Sequence, residues 1–210
     1  MKITLASVKP GQAFTYGGMP WVKLEDVSGG TLALAAESVF DRAFCENTNR
    51  EIAQYNNWGY STLRHELNDD FYETLLENGA DAGAFLYMTV GLTADDGLDD
   101  YGTTSDKIAL ISCEQYRKYR RFIPALDDWW WTVTALSPNA SNSYSVRIVG
   151  ASGALDYSGA YGGNRGVRPL CNLKSEILVL VDGDEQDAEN TLEARVAALE
   201  GLVAELIATR

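Results

Sequence analysis

The fold of this chain is decided by residues 129–173, which read WWWTVTALSPNASNSYSVRIVGASGALDYSGAYGGNRGVRPLCNL. Apolar runs in this stretch are separated by Gly, Asn and Ser, a composition typical of short strands joined by turns. Residues 144–149 alternate polar and apolar side chains, which predicts a half-buried strand. Neighbouring side chains on a strand face opposite ways, so we expect Trp130 to point away from Trp129 and Trp131. At least two of these three rings are expected to pack in the core.

The sequence upstream predicts further short strands and two helices. A hairpin is expected over 14–24 and another strand over 31–36, because both stretches carry apolar runs beside Gly-rich turns. Leucines and a phenylalanine recur at helical spacing after Ser61, so the first helix is expected to begin there and to end at Asn78–Gly79. A second, shorter helix is expected to begin at Ser112.

Two stretches with glycine and few large apolar residues, 93–106 and 156–166, are expected to be loops. Together these features predict a folded domain over 1–181. A polar linker is expected over 182–190, followed by a coiled-coil helix over 191–210. The apolar residues of that helix recur at spacings of four and three, which is typical of a and d positions. They would join copies of the chain, with folding back onto their own domain as the alternative: Leu192, Val196, Leu199, Val203 and Leu206.

Charge and cysteine content exclude several classes of function. The formal net charge is -13, and a nucleic-acid binder needs a basic face, so neither nucleic acid nor anionic lipid is an expected partner. We expect no membrane insertion, because no apolar run is long enough. The N-terminus does not resemble a signal peptide. The three isolated cysteines, Cys45, Cys113 and Cys171, are expected to be buried thiols in a protein made in a reducing cytoplasm.

Several of these strings resemble a large uncharacterised family of bacterial and phage domains. They are WWWTVTALSPN, YSVRIVGASGAL and GVRPLCNL, with NWGYSTLRHELNDDFYETL and DKIALISCEQYRKY upstream. That family is similar to the C-type-lectin-like fold of the formylglycine-generating enzymes and to the variable proteins of diversity-generating retroelements, including phage receptor-binding tips. The resemblance implies an α+β fold, a C-type-lectin-like domain with short antiparallel strands and two helices, here followed by the C-terminal coiled-coil helix. Residues 131–134 depart from the family's usual leucine-arginine, and the enzymes' paired catalytic cysteines have no counterpart.

The same resemblance implies a ligand-binding surface near the C-terminal end of the domain. Positions varied by retroelements are rich in Asn, Tyr, Ser, Asp and Gly, and tyrosine gives large contact area at low entropic cost. A turn-rich loop without a ligand is the alternative. The candidate ligand-binding residues are Asn139, Ser141, Asn142, Tyr144, Arg147, Asp156, Tyr157, Ser158, Tyr161 and Asn164.

Five of these residues are expected to be largely exposed and to converge on one face, namely Asn142, Tyr144, Tyr157, Tyr161 and Asn164. A buried framework should support that face, and its members are Trp129, Val146, Ile148, Val167 and Leu170. By analogy with the family's GVRP string, Arg168 is expected to anchor the following turn through backbone carbonyls.

The sequence favours a protein that is not an enzyme. His65 is the only histidine and lies on the first predicted helix, so no Ser/His/Asp or Cys/His site is indicated. No cofactor or zinc site is expected. Calcium is the one alternative, at the acidic loop that carries Asp95, Asp96, Asp99 and Asp100, where a solvated loop is the simpler interpretation.

These expectations combine into a receptor-binding or adhesion protein, a tail or fibre component of a phage virion, made in the host cytoplasm. Its expected partners are a bacterial cell-surface protein or glycan, other virion proteins and copies of itself, with a trimer favoured by the resemblance to phage fibres. The alternative is a structural fibre or decoration subunit with no host ligand. An enzyme of the formylglycine-generating type is a weaker third hypothesis.

Overall fold

The computed structural model describes residues 1–46, 54–139, 141–163 and 165–181. The helices in these residues are α1 (Thr62–Asn68), α2 (Asp70–Glu77) and α3 (Cys113–Tyr119). The strands are β1 (Lys2–Thr4), β2 (Ala13–Tyr16), β3 (Met19–Val27), β4 (Gly30–Ala35), β5 (Phe40–Arg42), β6 (Phe85–Leu86), β7 (Met88–Gly91), β8 (Thr103–Asp106), β9 (Ile108–Leu110), β10 (Trp130–Ala135), β11 (Ser145–Val149), β12 (Leu155–Gly159), β13 (Arg165–Val167), β14 (Pro169–Leu173) and β15 (Leu178–Leu180).

The largest sheet has the order β1-β15-β2-β3-β4-β14-β6, and β9 also pairs with β14. All of its pairings are antiparallel. The β2–β3 hairpin turns at Gly17 and Gly18, whose φ angles of 58° and 76° suit a two-residue turn that requires positive φ at both positions. The sheet also joins the start of the chain to the end of the described part, because the Met1 amino group donates to the Val181 carbonyl at 2.7 Å.

A second sheet has the order β12-β11-β10-β13-β5, and β7 pairs with β8 in a third. Strand β10 separates two packed regions, because its tryptophans point to opposite faces. Trp131 packs against Phe44, with ring centroids 5.8 Å apart, whereas Trp130 packs against Tyr116 at 5.7 Å. Both tryptophans are buried, so the prediction that at least two of the three rings lie in the core is confirmed.

The predicted helix starts are confirmed by their caps. The Ser61 hydroxyl accepts a hydrogen bond from the Arg64 amide, and Ser112 forms a capping box with Gln115. The single helix expected over 61–79 is divided at Asp69, whose φ and ψ of -109° and -92° are not helical. Helices in the described residues run to eight residues at most, and none of them could span a bilayer.

The predicted fold class is wrong. We expected an α+β C-type-lectin-like architecture. The described residues instead form a mostly β structure with fifteen strands and a curled antiparallel sheet. Strand β8 lies in the predicted loop over 93–106, and most of β12 with the start of β13 lies in the predicted loop over 156–166. These segments are short and polar, so pairing makes them strands rather than their own composition. Strands β8 and β12 pair with the strands that precede them, and β13 pairs with β5 and β10. The linker over 182–190 and the coiled coil over 191–210 lie outside the described residues.

The framework prediction holds at four of its five positions: Val146, Ile148, Val167 and Leu170 are buried. The expectation that Trp129 is buried is wrong, since its side chain is 40% exposed. It lies one residue before β10, and its ring lies beside Gly150.

The backbone-carbonyl contacts expected of Arg168 are present, but they join the β13–β14 junction to the end of β4 and to Pro124 and close no turn at Arg168 itself. Its buried guanidinium donates to the carbonyl oxygens of Ala35, Ala36 and Pro124 at 2.8–3.0 Å. The guanidinium carbon lies 4.8 Å from the centre of the Trp130 ring. Burial lowers the pKa of Arg168 to about 10, so the group stays charged at neutral pH and depends on these carbonyls in place of water.

Candidate functional site

Most of the candidate ligand-binding residues are exposed. Tyr144, Tyr157 and Tyr161 have 43%, 56% and 51% of their surface accessible. Asn139, Ser141, Asn142 and Asp156 are exposed as well, and Ser158 is half-buried. Asn164 lies outside the described residues.

Five of these residues lie at one end of the β11–β12 hairpin. The Ala160 amide donates to the Tyr144 carbonyl at 2.7 Å, which places Tyr144 beside the turn that carries Tyr161. The Tyr161 ring packs edge-on against Tyr55, with centroids 5.1 Å apart. We call this end of the hairpin the loop surface, and it consists of Asn139, Ser141, Asn142, Tyr144 and Tyr161.

The structure does not bring all of the candidates to the loop surface. Tyr157 and Arg147 are register partners on β12 and β11, so their side chains share one face of the hairpin. Val146 and Ile148, which alternate with Arg147, point to the opposite face and into the core. The half-buried Arg147 side chain turns toward Asp95, with its Nε 3.4 Å from the carboxylate, so it does not present a free charge to a ligand.

A buried asparagine holds the loop surface in place. The Asn56 Nδ2 lies within hydrogen-bond distance of three carbonyl oxygens in the 137–145 loop, those of Ser137 at 2.8 Å, Ser145 at 2.9 Å and Asn142 at 3.1 Å. The Asn56 main-chain amide also donates to the Ser143 carbonyl at 3.0 Å. Asn56 is fully buried, so these bonds are shielded from water and constrain the loop strongly.

Tyr101 orients this asparagine. Its hydroxyl donates to the Asn56 Oδ1 at 2.7 Å, which leaves the Asn56 amide nitrogen facing the loop. Burial, with smaller contributions from Asp100 and Asp96, raises the pKa of Tyr101 to about 12. The hydroxyl therefore stays protonated and able to donate throughout the physiological pH range.

Sequence reasoning missed the contribution of residues 54–60, which read QYNNWGY. The Tyr55 ring packs against Tyr161, and Asn56 holds the 137–145 loop. Tyr60 is exposed. Its main chain lies near the same end of the hairpin, because the Tyr60 carbonyl accepts from the Cys45 thiol and the Cys45 amide donates to the Ala160 carbonyl. The signal was available, because this segment has the same tyrosine and asparagine composition as the predicted loops.

A buried ionic network centred on Asp106 holds the 54–60 segment in place. Asp106 accepts hydrogen bonds from Trp58 Nε1 at 2.9 Å, from Arg64 Nε at 2.7 Å and from the Thr104 hydroxyl at 2.7 Å. The carboxylate is thus fully engaged, which links the 54–60 segment to α1 and β8.

One carboxylate of the acidic loop is engaged with arginines. Asp95 pairs with Arg117 and Arg147, in each case at 3.4 Å. In the described part of the chain, His, Cys, Asp and Glu side chains nowhere gather in threes or more as metal ligands would.

The three cysteines are free thiols, and each is buried. Burial raises the pKa of both Cys113 and Cys171. Because the thiolate is the reactive form, these two thiols are poor nucleophiles at neutral pH.

Comparison with known proteins gives one match. Residues 29–175 match the family model described as a domain of unknown function (DUF6273). No curated protein and no solved structure matches the chain.

Proposed function

Because the chain belongs to the DUF6273 family, a domain of unknown function, we propose its function from its own surface: it is a binding protein whose loop surface contacts an external ligand. The observation that carries this proposal is a pair of exposed tyrosines, Tyr144 on the loop fixed by the buried Asn56 and Tyr161 on the adjoining turn. A rigid tyrosine gives contact area without losing much entropy on binding, and neighbouring asparagines and serines supply hydrogen bonds.

The ligand class follows from charge and from the resemblance to phage receptor-binding tips. A net charge of -13 disfavours polyanions. The resemblance supports a bacterial cell-surface protein or glycan as the ligand and a virion as the place of action. Tyrosine rings stack well on the apolar faces of sugars and on peptide groups, so the loop surface suits either class.

The proposal is tested by screening the full chain against an array of bacterial surface glycans and a panel of whole bacterial cells. Saturable binding to a subset of glycans or strains supports it. The competing hypothesis, a structural virion subunit, predicts no binding to any glycan or cell, together with self-association that weakens when Tyr144 and Tyr161 are replaced by Ser.

A further inference from the structure

Strand β7 has one unpaired edge. It pairs with β8 alone among the described strands, and the hydrogen bond from the Leu92 amide to the Gly102 carbonyl fixes which residues face that partner. In an antiparallel pair hydrogen-bonded residues alternate, so Met88 and Val90 bond to β8. Thr89 and Gly91 therefore turn their N–H and C=O groups outward. Within the described residues no other group hydrogen-bonds to them on that side.

Strand β7 lines an open cleft of about 460 Å³. All four β7 residues contribute to one wall, and the first turn of α3 with Thr134 of β10 forms the other. The buried residues Leu110 and Leu170 are also among the lining residues of this cleft. A cleft beside a free strand edge fits an extended peptide, whose main chain bonds to the edge while alternate side chains point into the cleft.

Gly91 gives a second, independent indication. A Cβ placed on Gly91 would meet no atom within 4 Å, and its φ is not in the left-handed region. Neither packing nor backbone conformation of the domain therefore requires glycine here. Glycine within a strand often marks a position where another backbone approaches closely.

The charges at the rim indicate the composition of the partner. Asp95 is neutralised by Arg117 and Arg147, but the exposed Glu114 has no ion pair in the part of the chain that the structure describes. The cleft thus carries an uncompensated carboxylate on a strongly acidic protein. An incoming strand with a lysine or arginine beside Glu114 would complement it.

From the unpaired edge, the cleft, the glycine and the rim charge, we infer that β7 binds an extended segment of another protein, one that contains lysine or arginine and adds as a third strand to the β7–β8 sheet. This site shares no residue with the loop surface, so the inference stands whether or not the loop surface binds a ligand.

The test uses a display library of random ten-residue peptides, selected for binding to the full chain. Selected peptides are then measured against Gly91→Pro, which removes the outward N–H without touching the β8 hydrogen bonds. The matched control is Gly91→Ala, which keeps the N–H and places its methyl group in open space. Losing one main-chain bond should weaken binding at least about fivefold in Gly91→Pro, while Gly91→Ala binds like the unchanged protein. Glu114→Gln should weaken binding of the basic peptides.

A second arm does not depend on the folding of the proline variant. An extended peptide has two edges, and only one of them can hydrogen-bond to β7. Methylating the peptide nitrogens on that edge should abolish binding, and methylating those on the opposite edge should not. Amide exchange at Thr89 and Gly91 should slow when peptide is bound. The inference is overturned if no peptide is selected, or if selected peptides bind equally well in both methylated forms and leave exchange at these two amides unchanged.

Discussion

Replacing Asn56 by Ala should destabilise the protein measurably. Two of its three carbonyl partners have a second donor, since the Asn142 carbonyl also accepts from the Ser145 amide and the Ser145 carbonyl from the Leu136 amide. The Ser137 carbonyl and the Tyr101 hydroxyl would each lose their partner. An unsatisfied buried group costs about 1–3 kcal/mol, so the two losses together predict roughly 2–6 kcal/mol.

Urea unfolding followed by tryptophan fluorescence measures this change. Asn142→Ala is the matched control, because its side chain is exposed in the same loop and its removal should change the free energy of unfolding by less than about 0.5 kcal/mol. Amide exchange at Ser145, which bonds to Asn142 within the loop, should accelerate in Asn56→Ala and not in the control.

An Asn56→Asp variant sharpens the test. The carboxylate would face three carbonyl oxygens, so only its protonated form can donate, and its folded pKa must rise above the unfolded value. Stability of this variant relative to Asn56→Ala should therefore be highest below the unfolded pKa of about 4 and fall as pH rises above it. The reasoning is refuted if Asn56→Ala unfolds within about 0.5 kcal/mol of the unchanged protein.

Three further predictions concern the core, the thiols and Tyr101. Trp131→Ala should lower the free energy of unfolding by roughly 3–5 kcal/mol. Trp129→Ala should lower it by less than about 1.5 kcal/mol, because that ring is partly exposed. Equal losses for the two variants in urea unfolding would contradict this. A thiol reagent should label the three cysteines slowly in the native protein and all three in denaturant, since all are buried. Tyr101 has its folded pKa raised to about 12, so the stability it contributes is complete below about pH 10 and is lost as pH rises toward 12. Tyr101→Phe should remove that part of the alkaline stability loss measured by urea unfolding.

Local signals in the sequence predicted the helix starts and strand β11 correctly. Ser61 and Ser112 cap their helices through bonds to residues three positions away, and such short-range chemistry can be read from sequence. The alternation over 144–149 likewise predicted β11, because one face of that strand contacts the core.

Features set by distant contacts could not be predicted in the same way. Strand β13 pairs with β5 and β10, and β5 lies more than a hundred residues away in sequence. Strands β8 and β12 pair with the strands just before them, but they are short and polar, so their composition did not mark them as strands. The fold class was missed for that reason. Asn56 acts on carbonyls more than eighty residues away, so no local pattern marks it as the anchor of the loop surface.

The exposed tyrosines were predictable from composition, but their grouping was not. Tyr157 and Tyr144 are both exposed, yet strand alternation and register separate Tyr157 from the loop surface. Which of the candidate residues act together depends on pairing between β11 and β12, and that register became visible only in the folded chain.

The most direct test of the central claim compares binding by two matched variants. The glycan or cell that binds best in the screen is titrated, by interferometry, with the double variant Tyr144→Ser/Tyr161→Ser and with Tyr87→Ser, which removes a tyrosine that is 69% exposed outside the loop surface. The loop surface predicts at least about a tenfold loss of affinity in the double variant, since two contact aromatics are removed, and no loss in Tyr87→Ser. Undiminished binding by the double variant, with its unfolding curve unchanged, would contradict the account.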